Sequence, residues 1–290
     1  MAEISAALVK ELRERTGAGM MDCKKALSEV GGDLEQAIEY LRKKGLSSAA
    51  KKAGRIAAEG IIAEYIDGNK GVIVEVNSET DFVARNEEFV NFAKEIAANI
   101  VKNNVNTVEE LLNSKFNGGD SVNDVLNTKI AKIGEKIDIR RFSRMEGGLV
   151  ATYIHLGGKI GVIVKLDGGD QALAKDICLH IAASNPMYLD SSSVDPEFIK
   201  KEEEILTAKQ KEAGKPDNII PNIVKGQIAK YLKEICLMSQ PFVRNPDMTI
   251  EQLLAEKKAK IVQYSRYQVG EGIEKKQENF VEEVMKQIKG

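Results

Sequence analysis

The 290-residue chain has no tryptophan, two histidines and three cysteines, and no apolar run near the ~18 residues of a membrane span. Each shortage removes a class of function. His155 and His180 belong to no H-x-x-x-H, and no serine sits in G-x-S-x-G, so a catalytic histidine is unsupported and both read as surface or satisfied packing residues. Cys23, Cys178 and Cys236 lie far apart without a C-x-x-C pair, which argues against a disulfide framework and a zinc site and fits a reducing cytoplasm. Forty-two basic against forty-four acidic residues leave a net charge of −2, so no global field draws the chain to nucleic acid or an anionic membrane. Its partners must be recognised by shape. No G-x-x-x-x-G-K-[ST] loop occurs, and Gly270-Glu271-Gly272 does not continue into G-x-G-x-x-G, so no bound nucleotide or other cofactor is expected. Carboxylates fall in helical patterns such as Glu202-Glu203-Glu204, for which a solvated face is the default, and no acid/base pair stands out. Met1 to Lys10 is amphipathic and lacks the basic and apolar regions of a secretory signal.

What is present is helical at first. Ile4, Leu8 and Leu12 recur at helical spacing up to Thr16-Gly17-Ala18-Gly19; Cys23, Ala26, Leu27 and Val30 mark a second helix ending at Gly31-Gly32. Asp33 with Gln36 caps a third, expected to stop at Lys43-Lys44-Gly45 with cations in its last turn and glycine after it. Residues 1–45 thus read as a three-helix bundle resembling a ubiquitin-associated domain. Residues 46–59, rich in alanine and lysine, read as a helical linker.

The period changes at Gly60. Ile61 to Ile66, the turn Asp67-Gly68-Asn69-Lys70-Gly71, and Val72 to Val76 predict a β-hairpin with Val72, Val74 and Val76 on one face. A helix with Phe89, Phe92, Ala93, Ile96, Ala97 and Ile100 on its buried side follows. Short helices are expected at Val108 to Asn113 and Ser121 to Ile133, then a strand from Lys136 to Phe142. The pattern then repeats: Gly148 to Ile154 matches Gly60 to Ile66 at an offset of 88, and Gly161 to Val164 matches Gly71 to Val74 at an offset of 90. A helix from Gln171 to Ala183 completes the second copy, which lacks the segment Thr80 to Arg85. The core therefore reads as two related α+β halves, 60–145 and 146–194, the second completed by 239–270. Between these, 195–238 reads as an antiparallel coiled-coil arm: Asp195-Pro196 opens a charged helix broken at Ala213-Gly214-Lys215-Pro216, and Val224, Ile228, Tyr231 and Ile235 line its return. A capped helix at Thr249, a strand near Ile261 to Tyr267 and a tail helix with Phe280, Val284 and Ile288 in line end the chain, with 271–290 as a C-terminal module.

Three stretches carry a resemblance. Leu12-Arg13-Glu14-Arg15-Thr16-Gly17-Ala18-Gly19-Met20-Met21-Asp22-Cys23-Lys24-Lys25-Ala26-Leu27 is nearly letter for letter the N-terminal signature of elongation factor Ts. Glu75-Val76-Asn77-Ser78-Glu79-Thr80-Asp81-Phe82-Val83-Ala84-Arg85 resembles that family's central signature, and Arg266 to Lys275 its C-terminal run. The order of modules also matches the full-length bacterial form. The resemblance implies an α+β fold and no covalent chemistry. It implies binding to elongation factor Tu carrying GDP, and GDP release by disruption of the Mg²⁺ and phosphate site. It makes Thr80, Asp81, Phe82 and Val83 a wedge, with Phe82 inserted into the partner. It places Arg13, Met20, Met21, Ile133, Gly134 and His155 at the partner surface, with no direct contact to nucleic acid or membrane, and it leaves the oligomeric state open.

On residue type alone the reading differs. Phe82, seven positions before Phe89, extends the buried face of that helix; one of Met20 and Met21 reads equally as core, and Arg13 as part of a solvated face. Two functional alternatives stand beside the exchange reading. One is an adaptor made of the bundle and the arm, which leaves Thr80 to Arg85 unexplained. The other is an α+β hydrolase, for which nucleophile and base are missing.

Overall fold

A computed structural model describes residues 4–274. The tail helix expected around Phe280 lies outside the described residues.

The first helix, α1 (Ala6–Thr16), starts where the Ser5 side chain accepts the Leu8 N–H and ends at Gly17, whose left-handed backbone sends its N–H to the Arg13 carbonyl. α2 (Met20–Glu29) follows, and α3 begins at Leu34 under the Asp33 cap. Leu12, Cys23, Ala26, Leu27 and Ala37 form their shared core. The third helix does not stop at Gly45. α3 spans Leu34–Lys52, so residues 46–52 are the continuation of one rod. Gly45 is buried, and a Cβ there would meet the Asn127 carbonyl at 3.4 Å, in the helix α7 (Val122–Ile133) that crosses it. The glycine that reads as a terminator is a site of close helix approach, which outweighs its propensity cost of ~1 kcal/mol. Arg42 adds a fork to Asp124 at 2.9 and 3.0 Å across the same crossing.

β1 (Glu59–Asp67) and β2 (Lys70–Ser78) form the expected hairpin, and β3 (Ile137–Glu146) pairs with β2 to complete an antiparallel sheet. The second sheet is β4 (Leu149–His155), β5 (Ile160–Asp167) and β8 (Lys260–Gln268), again antiparallel. The repeat read from sequence extends to detail. Both sheets shift register at matching positions, between Glu75 and Val76 in one and Lys165 and Leu166 in the other.

The outer face of the first sheet carries Val72, Val74 and Val76 against α5 (Glu87–Asn103), α6 (Val108–Asn113) and α7. That of the second carries Val162, Val164 and Leu166 against α8 (Gln171–Ser184) and α11 (Ile250–Glu256). The inner faces meet through Ile62, Ile73, Val150 and Ile163, two equivalent pairs. A Cβ on Gly71 would lie 2.7 Å from Val150 Cγ1, and one on the equivalent Gly161 would lie 2.4 Å from the equivalent Ile62 Cγ2. Equivalent Ser143 and Ser265 touch each other, Oγ to Oγ at 2.8 Å. The two halves are thus locked face to face about a pseudo-two-fold axis, as an α+β protein with antiparallel sheets.

Between β5 and β8 the chain leaves the core as α9 (Pro196–Glu212) and α10 (Ile220–Ile235), packed along Ile220, Val224, Ile228, Ile199 and Leu206. A two-strand ribbon, β6 (Pro241–Phe242) and β7 (Asn245–Thr249), absent from the sequence reading, leads into α11, where Thr249 and Gln252 form a reciprocal cap. The end of the described chain is tied back by Glu75, a fully buried carboxylate bound to Arg140 at 3.1 Å, Arg141 at 2.6 Å and the Gly270 N–H at 2.8 Å. Removing one partner from such a group is costly, because a buried charge is then left uncompensated.

Candidate functional site

The segment missing from the second half forms a turn of its own. After β2, the Ser78 hydroxyl donates to the Thr80 carbonyl at 2.9 Å, and Thr80, in extended conformation, caps the five-residue helix α4 (Asp81–Arg85) by accepting the Val83 N–H. Asp81 in the first turn pairs with Arg85 in the last at 3.0 Å, each at the helix end whose partial charge it complements. Ala84 is buried and Val83 packs on the core, so the helix is pinned along one side. Phe82 faces the other way and is 85% exposed. The expectation that it extends the buried face of the next helix is therefore overturned. Asn86 ends α4, caps α5 through its bond from the Glu88 N–H, and breaks the helical phase that would have carried Phe82 inward.

Five residues cannot hold a helix unaided, since nucleation alone exceeds what so few bonds return. The support comes from the loop after α7. Gly134 ends that helix in left-handed conformation, and Glu135 then turns its carboxylate onto the turn: Oε2 accepts the N–H groups of Glu79 at 3.1 Å and Thr80 at 3.0 Å, and Oε1 accepts the Thr80 hydroxyl at 2.6 Å. Glu79 answers by accepting the Lys136 N–H at 2.5 Å, and pairs with Arg55 at 3.2 Å. Glu88 on α5 pairs with Lys129 at 2.7 Å and Lys132 at 2.8 Å on α7, and the hydrogen bonds from Lys129 and then Lys132 hold its carboxyl below the usual range. Gly134 thus immediately precedes the residue that holds Thr80, and Ile133 packs on the same core cluster as Val83. Sequence reading missed Glu79 and Glu135; the one available signal was a pair of carboxylates flanking singled-out residues.

Arg13, Met20 and Met21 line one shallow groove between α1 and α2, with Lys10 and Lys24 at its rim. Both methionines are exposed, at 59% and 75%, so neither is core. His155 ends β4 on the second half of the core, where it is half-buried, stacks on Tyr153 and shares a 3.1 Å bond with the tyrosine hydroxyl; the next residue, Leu156, is exposed.

His180 is fully buried. Its Nδ1 accepts the Val243 N–H at 3.3 Å, so Nε2 carries the proton and donates to Gln240 Oε1 at 2.9 Å. Burial pushes its pKa down, against a smaller opposing effect of Gln240. It is a packing residue, as the sequence suggested.

Phe82 on its braced turn and Met20 and Met21 on α2 present large apolar side chains to solvent, while His180 is occupied by packing. The family described as Elongation factor TS matches residues 79–271. Proteins named Elongation factor Ts from Clostridium perfringens strains SM101 and 13 are each 53% identical to the chain over 298 residues, covering 98% of this chain and 98% of the relative. The chain belongs to the elongation factor Ts family of translation factors.

Proposed function

We propose that the chain is the guanine-nucleotide exchange factor for elongation factor Tu, binding its GDP-bound form and releasing GDP by displacing the elements that hold the phosphates and Mg²⁺. The observation that carries this reading is Phe82, a large apolar side chain left in water on a braced five-residue helix. Burying such a side chain in a partner returns about 1.5–3 kcal/mol, which is available only on docking. Phosphates in such GTPases are held by backbone N–H groups and by a Mg²⁺ that requires near-octahedral geometry, so a displacement of about an ångström weakens both. Phe82 supplies the displacement, with Thr80, Asp81 and Val83 shaping its base and Ile133 and Gly134 flanking it. Arg13, Met20 and Met21 form a second contact, in which flexible methionines adapt to the partner, and His155 a third. The factor performs no covalent step: it binds the nucleotide-free GTPase more tightly than the loaded one, and that difference is the entire source of exchange.

Stopped-flow release of a fluorescent GDP analogue from elongation factor Tu tests this. The chain is expected to accelerate release, and Phe82→Ala to slow the accelerated rate at least several-fold without altering the fold. No acceleration by the unmodified chain overturns the exchange reading; unchanged release by a folded variant removes Phe82 from it.

A further inference from the structure

We propose that Glu135 is the positioning residue for Phe82: its carboxylate clamps the start of α4 so that the phenylalanine is presented in one fixed pose. The inference rests on the reading of Phe82 as the displacing group, and it adds a residue that neither motif nor repeat singled out. Three donors converge on this one side chain, the N–H groups of Glu79 and Thr80 and the Thr80 hydroxyl, at 3.1, 3.0 and 2.6 Å. The same hydroxyl oxygen accepts the Val83 N–H, so the carboxylate fixes the cap and, through it, the residue next to Phe82. The clamp is reciprocal: Glu79 takes the N–H of Lys136, so the strand-to-helix junction before α4 and the helix-to-strand junction after α7, far apart in sequence, hold each other.

Hydrogen bonds to an ionised acceptor are about twice as strong as neutral ones, and a side chain ordered before docking loses less freedom on docking. A wedge acts by displacement, and a mobile phenylalanine yields where a fixed one pushes. Loss of the clamp should therefore lower the rate of GDP release at saturating factor more than it lowers affinity.

Two measurements on the full chain test this. The chain has no tryptophan, so Phe82→Trp introduces a single reporter at the tip. Adding Glu135→Gln, which keeps the shape but removes the charge, is expected to lower the indole fluorescence anisotropy while circular dichroism and melting temperature stay close to the parent. In stopped flow, Glu135→Gln alone should lower the limiting release rate by about tenfold, ~1.4 kcal/mol of barrier, and should add almost nothing in a Phe82→Ala background.

Unchanged anisotropy overturns the clamp, as does an equal slowing with and without Phe82. Should Phe82→Ala leave release unaffected, the wedge reading falls, while anisotropy still decides whether Glu135 orders the turn. If Glu135→Gln fails to fold, Thr80→Val, which deletes the hydroxyl from the same network, is read by both measurements with the same expected direction and the same overturning results.

Discussion

At the scale of the residue, the chain uses the same side-chain types in opposite ways according to one or two hydrogen bonds. Phe89 is core and Phe82 is outside because Asn86 caps a new helix between them. His155 is half-exposed at a strand end, whereas His180 is kept neutral by burial, with its tautomer set by the Val243 N–H and Gln240. The second histidine makes a testable contribution to stability. Its folded pKa lies below the ordinary 6.5, so the unfolded chain binds the proton more readily. The stability tied to His180 is then fully present above that unfolded value and is lost as pH falls through the folded one. Urea unfolding between about pH 8 and about pH 5 should show stability declining on the acid side of 6.5, and His180→Asn should flatten that decline. An identical slope in the variant would place the titration elsewhere.

At the scale of the element, most boundaries were legible because their signals are local. Ser5, Asp33, Ser121, Asp195 and Thr249 each cap the helix that the sequence opened at or beside them. The 88/90 offset located both hairpins. What the sequence hid lies in contacts between distant segments. Gly45 ends a helix by composition and continues one by packing, a choice made by Asn127 on another helix. Glu79 and Glu135 are unremarkable acids until the loop after α7 is folded against the turn. The segment Thr80 to Val83 stood out by family likeness, and the carboxylate that braces it did not.

The glycines between the sheets could be matched by the repeat but not explained by it, since their partners lie in the other half. They give a second prediction. Gly161→Ala places a Cβ 2.4 Å from Ile62 Cγ2 and 3.2 Å from Ile154 Cδ1, and overpacking of this kind costs about 1–3 kcal/mol. Ile62→Ala removes the obstructing methyl at its own cavity cost of about 2–5 kcal/mol. In a double-mutant cycle by urea unfolding, the pair should cost about 1 kcal/mol less than the sum of the singles. Additive costs would mean that the sheets slide apart rather than resist.

At the scale of the whole molecule, exchange is a linkage between two ligands of one GTPase, and it is reciprocal. Excess GDP with Mg²⁺ should therefore dissociate the factor from nucleotide-free elongation factor Tu, and chelating Mg²⁺ should shift the balance back toward the factor. Titration calorimetry at rising GDP measures this: factor affinity should fall in proportion to nucleotide saturation. A flat affinity would leave a protein that binds the GTPase without acting on its nucleotide, which is the adaptor reading. The same scale bears on how the chain comes to be folded. Synthesis delivers the N-terminal part first, and the first sheet is complete once residue 146 has emerged, whereas the second waits for β8, residues 260–268, beyond the whole helical hairpin. Until then β5 has an open edge of the kind that recruits stray strands. The docking of nine residues against β5 thus comes late, after the helical hairpin has been made, and ribosome-bound chains halted before residue 260 should hold a completed first sheet beside a second sheet still open at β5.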